Sequence, residues 1–182
     1  MKANFSKFIT TVMHDYEGAY FEEVAGDKGG PTKFGITIYD IGLREGLNTT
    51  KNWSKLRTMV KNLTIEEAVN MYKTKYWDDL KADELPSGID CVMVDLGITS
   101  GPKRAVEIAQ RLLDLPDDGK LGPKTLAALK TQDAKSFIIA FSERRRKYYK
   151  GLNQPKFYNG WQNRANKCEK YCLSIILLSI LT

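Results

Sequence analysis

Residues 16–39, YEGAYFEEVAGDKGGPTKFGITIY, decide how this 182-residue chain is read. An amphipathic segment delivers Glu17 to its end, and a glycine-dense passage follows with Gly26, Asp27, Gly29, Gly30, Pro31 and Gly35. Glycine takes positive φ without steric cost, so such a passage can aim groups where an ordinary loop cannot. Beyond it Phe34, Ile36 and Ile38 alternate with Gly35 and Thr37. That period of two is the one good strand signal in the chain, a short strand or a hairpin arm. A carboxylate at a helix end, a second one ten residues on and a turn between them predict a cleft with two acids.

Glu17 reads in two ways. It is either a solvated carboxylate or a general acid, because a helix C-terminus disfavours negative charge and so favours the protonated form. Apolar neighbours such as Tyr16, Tyr20 and Phe21 would add desolvation in the same direction. A protonated carboxyl in a cleft is what cleavage of a glycosidic bond requires. Asp27 is either an ordinary Asx-turn residue or the partner that holds a water or supports positive charge on the sugar. Thr32 could help orient that water. Glu22 and Glu23 are rival acids that read more simply as a solvated face.

Working outward, Phe5, Phe8, Ile9, Val12, Met13 and Tyr16 recur at helical spacing and predict a first helix ending near Glu17. After the strand signal, a short helix over 39–45 and a polar loop over 48–52 are expected in an otherwise mixed stretch. Thr64 with Glu67 is a capping box ahead of Ile65, Ala68, Val69, Tyr72, Tyr76 and Trp77. Helices are further predicted around 89–96, 103–113, from Pro123 through Leu129, 136–149 and across Trp161, Ala165 and Cys168. The fold class is mainly α with one small β element. Tyr20, Tyr39 and Trp77 are candidates to line a groove, although their spacing suits a core as well.

Composition narrows the partners. A net charge of +6 favours an anionic one: nucleic acid, anionic lipid or an acidic wall polymer. The run Arg144, Arg145, Arg146 and Lys147 is either a solvated helix face or a contact for such a polymer. No helix-turn-helix spacing, zinc-finger pattern, RNA-binding signature, phosphate loop or nucleophile elbow is evident, so no nucleic acid is expected. Cys91, Cys168 and Cys172 read as reduced thiols with one optional pair, and with His14 distant no metal is expected. No cofactor motif occurs. The N-terminus lacks a signal peptide's apolar core and cleavage site. The run CLSIILLSIL at 172–181 is about half the ~20 residues of a membrane span. It reads as a final helix or strand packed on the body, a membrane-touching tail, or a disordered sticky end.

EGAY at 17–20, then D-x-GG-x-T-x-x-GIT from Asp27 to Thr37, resembles the N-terminal signature of the glycoside hydrolase family 108 muramidases. Members typically read E-G-G-Y, so Ala19 departs from the pattern. VDLGITSGPKRAVEIAQRLL at 94–113, DGKLGPKTLAAL at 118–129, RRRKYYKG at 144–151 and Gly160-Trp161 with Arg164 resemble the peptidoglycan-binding module that accompanies this region. That module usually has asparagine where Thr99 stands, which touches any sugar contact made by Thr99 and Ser100.

The resemblance implies a lysozyme-like fold, with the small hairpin next to the catalytic helix. It implies a catalytic lobe over 1–87 and a peptidoglycan-binding helical lobe over 88–170 sharing its core, while the apolar tail over 171–182 lies outside the match. It implies hydrolysis of the β-1,4 bond between N-acetylmuramic acid and N-acetylglucosamine, with Glu17 as acid and Asp27 as its partner. The expected partner is the peptidoglycan glycan strand, met by a monomer. The service implied is passage of protein cargo, toxins included, or lysis, after synthesis without a signal and a phage-like export to the wall. The alternatives are a lytic transglycosylase and a non-catalytic wall-binding secretion accessory.

Overall fold

The computed structural model describes residues 2–12, 20–23 and 30–180, and among these it is mainly helical with one two-stranded antiparallel sheet. The chain divides into two compact units, Lys7–Tyr72 and Met1–Ser6 with Lys73–Thr182. The expected boundary at 87/88 therefore differs from the packing boundary. The reason is local: Phe5 meets Trp77 edge-on at 5.2 Å, and the stretch 73–84 packs on the helix that follows it.

In the Lys7–Tyr72 unit, helix α1 (Lys2–Val12, which starts in the other unit) carries Phe8, Ile9 and Val12 buried. Strands β1 (Thr32–Lys33) and β2 (Ile36–Thr37) pair Thr32 with Thr37 and Lys33 with Ile36. The expected run of alternating residues is thus folded on itself. Phe34 (φ 53) and Gly35 (φ 72) make the tight turn, and both positive angles match the right-handed twist of the strands. Phe34 is an uncommon residue at positive φ. Its ring is buried, and its carbonyl accepts from the Tyr72 hydroxyl at 2.9 Å. Thr37 then caps α2 (Ile38–Arg44): its hydroxyl accepts from Asp40 N while Asp40 accepts from Thr37 N. Helix α3 (Trp53–Asn62) lies in the stretch left mixed by the sequence, and α4 (Ile65–Tyr72) starts on the expected Thr64–Glu67 box.

The other unit opens with a π-helical stretch (Lys73–Asp78) and a 3₁₀ turn (Ala82–Glu84). Helices α5 (Ile89–Ser100), α6 (Pro102–Leu112), α7 (Pro123–Lys130), α8 (Ala134–Gly151) and α9 (Pro155–Ile180) follow. Every residue of α5 from Ile89 to Gly97 is buried, as expected of a helix surrounded by others. Asp95 sits in that apolar setting at zero exposure. It accepts from Arg145 Nη2 at 2.5 Å and from Arg164 Nη2 at 2.9 Å. Burial alone would raise its pKa, but the Arg164 and Arg145 guanidinium groups outweigh burial and hold it below the ordinary 3.8.

One expectation changes here. Arg145 is fully buried against Asp95, and Arg146 pairs with Glu169 at 2.5 Å, so the basic run is not a continuous surface for an anionic polymer. The segment 171–180 forms the end of α9, the final-helix reading of the apolar run, with Cys172 fully buried. Among the described residues, no helix is long and apolar enough to cross a membrane. Cys91, Cys168 and Cys172 are buried free thiols, and burial pushes Cys91 up to about 12, so that thiol is protonated and unreactive.

Two substitutions test this account by urea unfolding. Asp95→Ala leaves Arg145 buried without its anion and is expected to cost about 3–5 kcal/mol, whereas Asp95→Leu with Arg145→Met costs less than that single change. The Asp95 contribution has a defined pH sense: with a lowered folded pKa it is present above about 3.9 and lost as pH falls through the folded value. Gly30 and Gly46 both have φ +65, but an added Cβ meets Trp53 Cη2 at 3.0 Å in the first and nothing within 4 Å in the second. Gly46→Ala is expected to cost about 1–2 kcal/mol from backbone strain, and Gly30→Ala measurably more. Equal costs would remove the Trp53 contact from the argument.

Candidate active site

Glu17 and Asp27 lie outside the described residues. What is described is the frame on both sides of the Asp27 segment. Glu22 and Thr32 form an antiparallel bridge: Glu22 N donates to Thr32 O at 2.8 Å, and Thr32 N to Glu22 O at 2.9 Å. Residues 23 and 31 lie next to this bridge, one on each side of the pairing. Thr32 continues from that bridge into β1, and its hydroxyl donates to Gly30 O at 3.1 Å. One threonine ties together bridge, loop end and hairpin.

The two rival acids separate here. Glu23 accepts from Arg57 Nε at 2.8 Å and from Nη2 at 2.6 Å, and Arg57 also lies over the Phe21 ring at 5.4 Å. The Arg57 hydrogen bond holds the Glu23 pKa below the ordinary carboxylate value. An ionised carboxylate already bound to a guanidinium is a poor proton donor, so Glu23 is a brace for the loop base. Glu22 is exposed and supplies backbone pairing.

The candidate aromatics divide by burial. Tyr20 is 82% exposed and Tyr39 49% exposed, both free to meet a ligand. Trp77 has no exposed surface, and its Nε1 donates to Asp83 at 3.0 Å, so it is a core residue and not a groove wall. Sequence reading missed Trp53. It is 37% exposed, sits edge-on to Tyr39 at 6.5 Å, and reaches the positive-φ Gly30 at the loop base. The signal was available: Trp53, Leu56 and Val60 fall at helical spacing after Asn52.

Thr99 and Ser100 end α5 in the other unit. The Thr99 hydroxyl lies 3.2 Å from Leu96 O and 2.7 Å from the Tyr149 hydroxyl, which in turn accepts from Arg145 Nε at 2.9 Å. Thr99 thus closes the buried Asp95–Arg145 network. Tyr149 stacks on Trp161 at 5.3 Å, and Trp161 on Phe157 at 5.7 Å, carrying that network out to an exposed ring. Among the described residues, no cluster of His, Cys, Asp or Glu is arranged to hold a metal ion.

Comparison with known proteins fits both halves. A family model described as glycosyl hydrolase 108 matches residues 10–101, a stretch that contains Glu17, Asp27, Thr32, Tyr39 and Trp53. A second, described as a predicted peptidoglycan domain, matches residues 104–166. The solved structure of Brucella abortus SagA is similar at 33% identity and a TM-score of 0.84, over 96% of this chain and 96% of that one. No curated protein matches. The fold is mainly α and lysozyme-like, and the second half is a peptidoglycan-binding domain. The family match over half of the chain, with the similarity to the SagA structure over nearly all of it, shows that the chain belongs to glycosyl hydrolase family 108, as a glycoside hydrolase acting on peptidoglycan.

Proposed function

We propose that the chain is a lysozyme-type N-acetylmuramidase, hydrolysing the β-1,4 bond between N-acetylmuramic acid and N-acetylglucosamine. The observation that carries this reading is the family match across residues 10–101, which spans the acid, the loop and the hairpin together. Glu17 protonates the glycosidic oxygen as the bond to the muramic anomeric carbon breaks. Water adds to that carbon, and Asp27 removes its proton or supports the oxocarbenium-like charge. Thr32, whose backbone pairs with Glu22, orients the water in this reading. Tyr20, Tyr39 and Trp53 offer rings to the sugar faces, and Ser100 is a contact in the second half.

Glu23 strengthens the choice of acid by elimination, since Arg57 keeps it ionised. In this reading the enzyme works as a monomer at the wall after phage-like export. It opens the glycan mesh for protein cargo, toxins included, or for lysis. Contact of the α9 end with a membrane is a further part of the reading, suggested by exposed Leu177.

Digestion of purified sacculi, wild type beside Glu17→Gln, tests it by product mass spectrometry. Wild type is expected to release muropeptides with reducing muramic ends. Glu17→Gln should lower the rate by about 10²–10⁴-fold, the usual worth of a general acid, with an unchanged unfolding curve. Ends of the 1,6-anhydro type would instead identify a lytic transglycosylase. Binding to sacculi without turnover would identify a wall-binding accessory.

A further inference from the structure

We propose that a cleft of about 390 Å³ beside the 118–120 turn binds a short carboxylate-bearing peptide, namely the stem peptide of peptidoglycan. The assignment rests on the peptidoglycan reading above and adds a site and a chemical class to it. The cleft lies wholly within the second unit, between the residues around Asp79, the start of α6 and the turn before α7.

Its rim is built rather than loose. Gln110, buried on α6, donates Nε2 to Asp118 Oδ1 at 2.8 Å and to Lys120 O at 3.1 Å. Its Oε1 accepts from Gly119 N at 2.9 Å, and Lys120 N donates to Asp118 Oδ1 at 2.9 Å. One buried side chain therefore fixes three consecutive residues, and a ligand meeting them would not have to order them first. Gly119 has φ +71, and an added Cβ would stand 2.5 Å from Lys103 Cγ. The missing side chain lets the Lys103 stem lie along the turn.

Two cations at this rim remain available. The Lys103 side chain is 75% exposed, and its partner Glu107 stands off at 3.9 Å while holding Arg104 at 2.5 Å. Lys120 is exposed and makes no ion pair among the described residues. Asp118 keeps its charge while its Oδ1 is tied to the turn, and Asp79, also exposed, is a second carboxylate able to meet an amine. Leu80, Val106 and Leu121 supply apolar wall suited to methyl groups. Among the described residues no aromatic ring lines the cleft, so these offer a sugar face nothing to stack on. Paired ammonium groups, two carboxylates and a small apolar wall match a short peptide that carries carboxylates and an amine.

Calorimetric titration of the full chain, carrying Glu17→Gln to prevent turnover, tests the assignment with two probes. One is the peptide-free N-acetylglucosaminyl-N-acetylmuramic disaccharide, and the other is the same disaccharide bearing a tetrapeptide. The tetrapeptide form is expected to bind about tenfold tighter, the size of two solvent-exposed ion pairs. Lys103→Ala with Lys120→Ala should erase that preference and leave the peptide-free affinity unchanged. Replacing both lysines by arginine should restore it, and circular dichroism checks that each variant is folded. Equal affinities for the two probes in the starting protein, absence of binding included, overturn the proposal, as does a preference that survives the double alanine change. Reducing-end release by wild type is scored separately. Its loss with an intact peptide preference would sink the hydrolase reading and leave the cleft standing.

Discussion

One buried carboxylate organises the larger unit. Asp95 stands in the middle of a helix whose Ile89–Gly97 stretch is buried throughout, and an unpaired charge there would cost several kcal/mol. Arg145 from α8 and Arg164 from α9 meet it. Apolar packing alone leaves the register of neighbouring helices loosely specified. A carboxylate that must be met by two guanidinium groups narrows it. The constraint then propagates: Arg145 Nε engages the Tyr149 hydroxyl, Tyr149 engages Thr99 one turn along α5, and the Tyr149 ring stacks on Trp161. The desolvation cost of such a network argues for a role in specifying the arrangement more than in raw stability.

The smaller unit solves a different problem, that of holding a glycine-rich segment by its ends. Backbone pairing between Glu22 and Thr32 closes the base, the Glu23–Arg57 fork braces one side, and Trp53 rests against Gly30 on the other. The hairpin continues directly from Thr32, and Thr37 passes its strand into α2 through a capping box. Glycine supplies the backbone freedom, and fixed neighbours limit its use.

Much of this was legible in the sequence because its causes are local. Capping at Thr64, Pro123 in a first turn, the spacing of Ile89, Val92, Met93 and Leu96, and the glycine-rich motif are all short-range signals. Phe34 and Ile38 misled by alternation, since β2 is only two residues long and the helix takes Ile38. Arg145 misled by composition. Four consecutive cations look like a solvated face until a buried aspartate fifty residues earlier is seen to need one of them. Trp77 was ambiguous because its spacing serves a core and a groove equally, and only burial separates them. Trp53 was overlooked because the polar residues around it hide a weak helical period. Glu17, Asp27 and Thr32 were legible as a pattern of residue types, a statement about chemistry that spacing alone does not place in space.

The division of the chain shows why motif and packing need not coincide. The glycosyl hydrolase match ends at residue 101 and the peptidoglycan domain begins at 104, at Gly101 between α5 and α6. By packing, α5 nevertheless belongs to the later unit, where it meets α6, α8 and α9. Its sequence explains the difference: a helix apolar on all sides carries no surface of its own and must be enclosed. The segment that closes one sequence family thus forms the core of the unit that contains the next. Asp95 makes the dependence explicit, because its two arginines both come from within the second match, at 145 and 164. A carboxylate supplied by the end of one matched segment and neutralised by the other ties α5 to the helices of the second match.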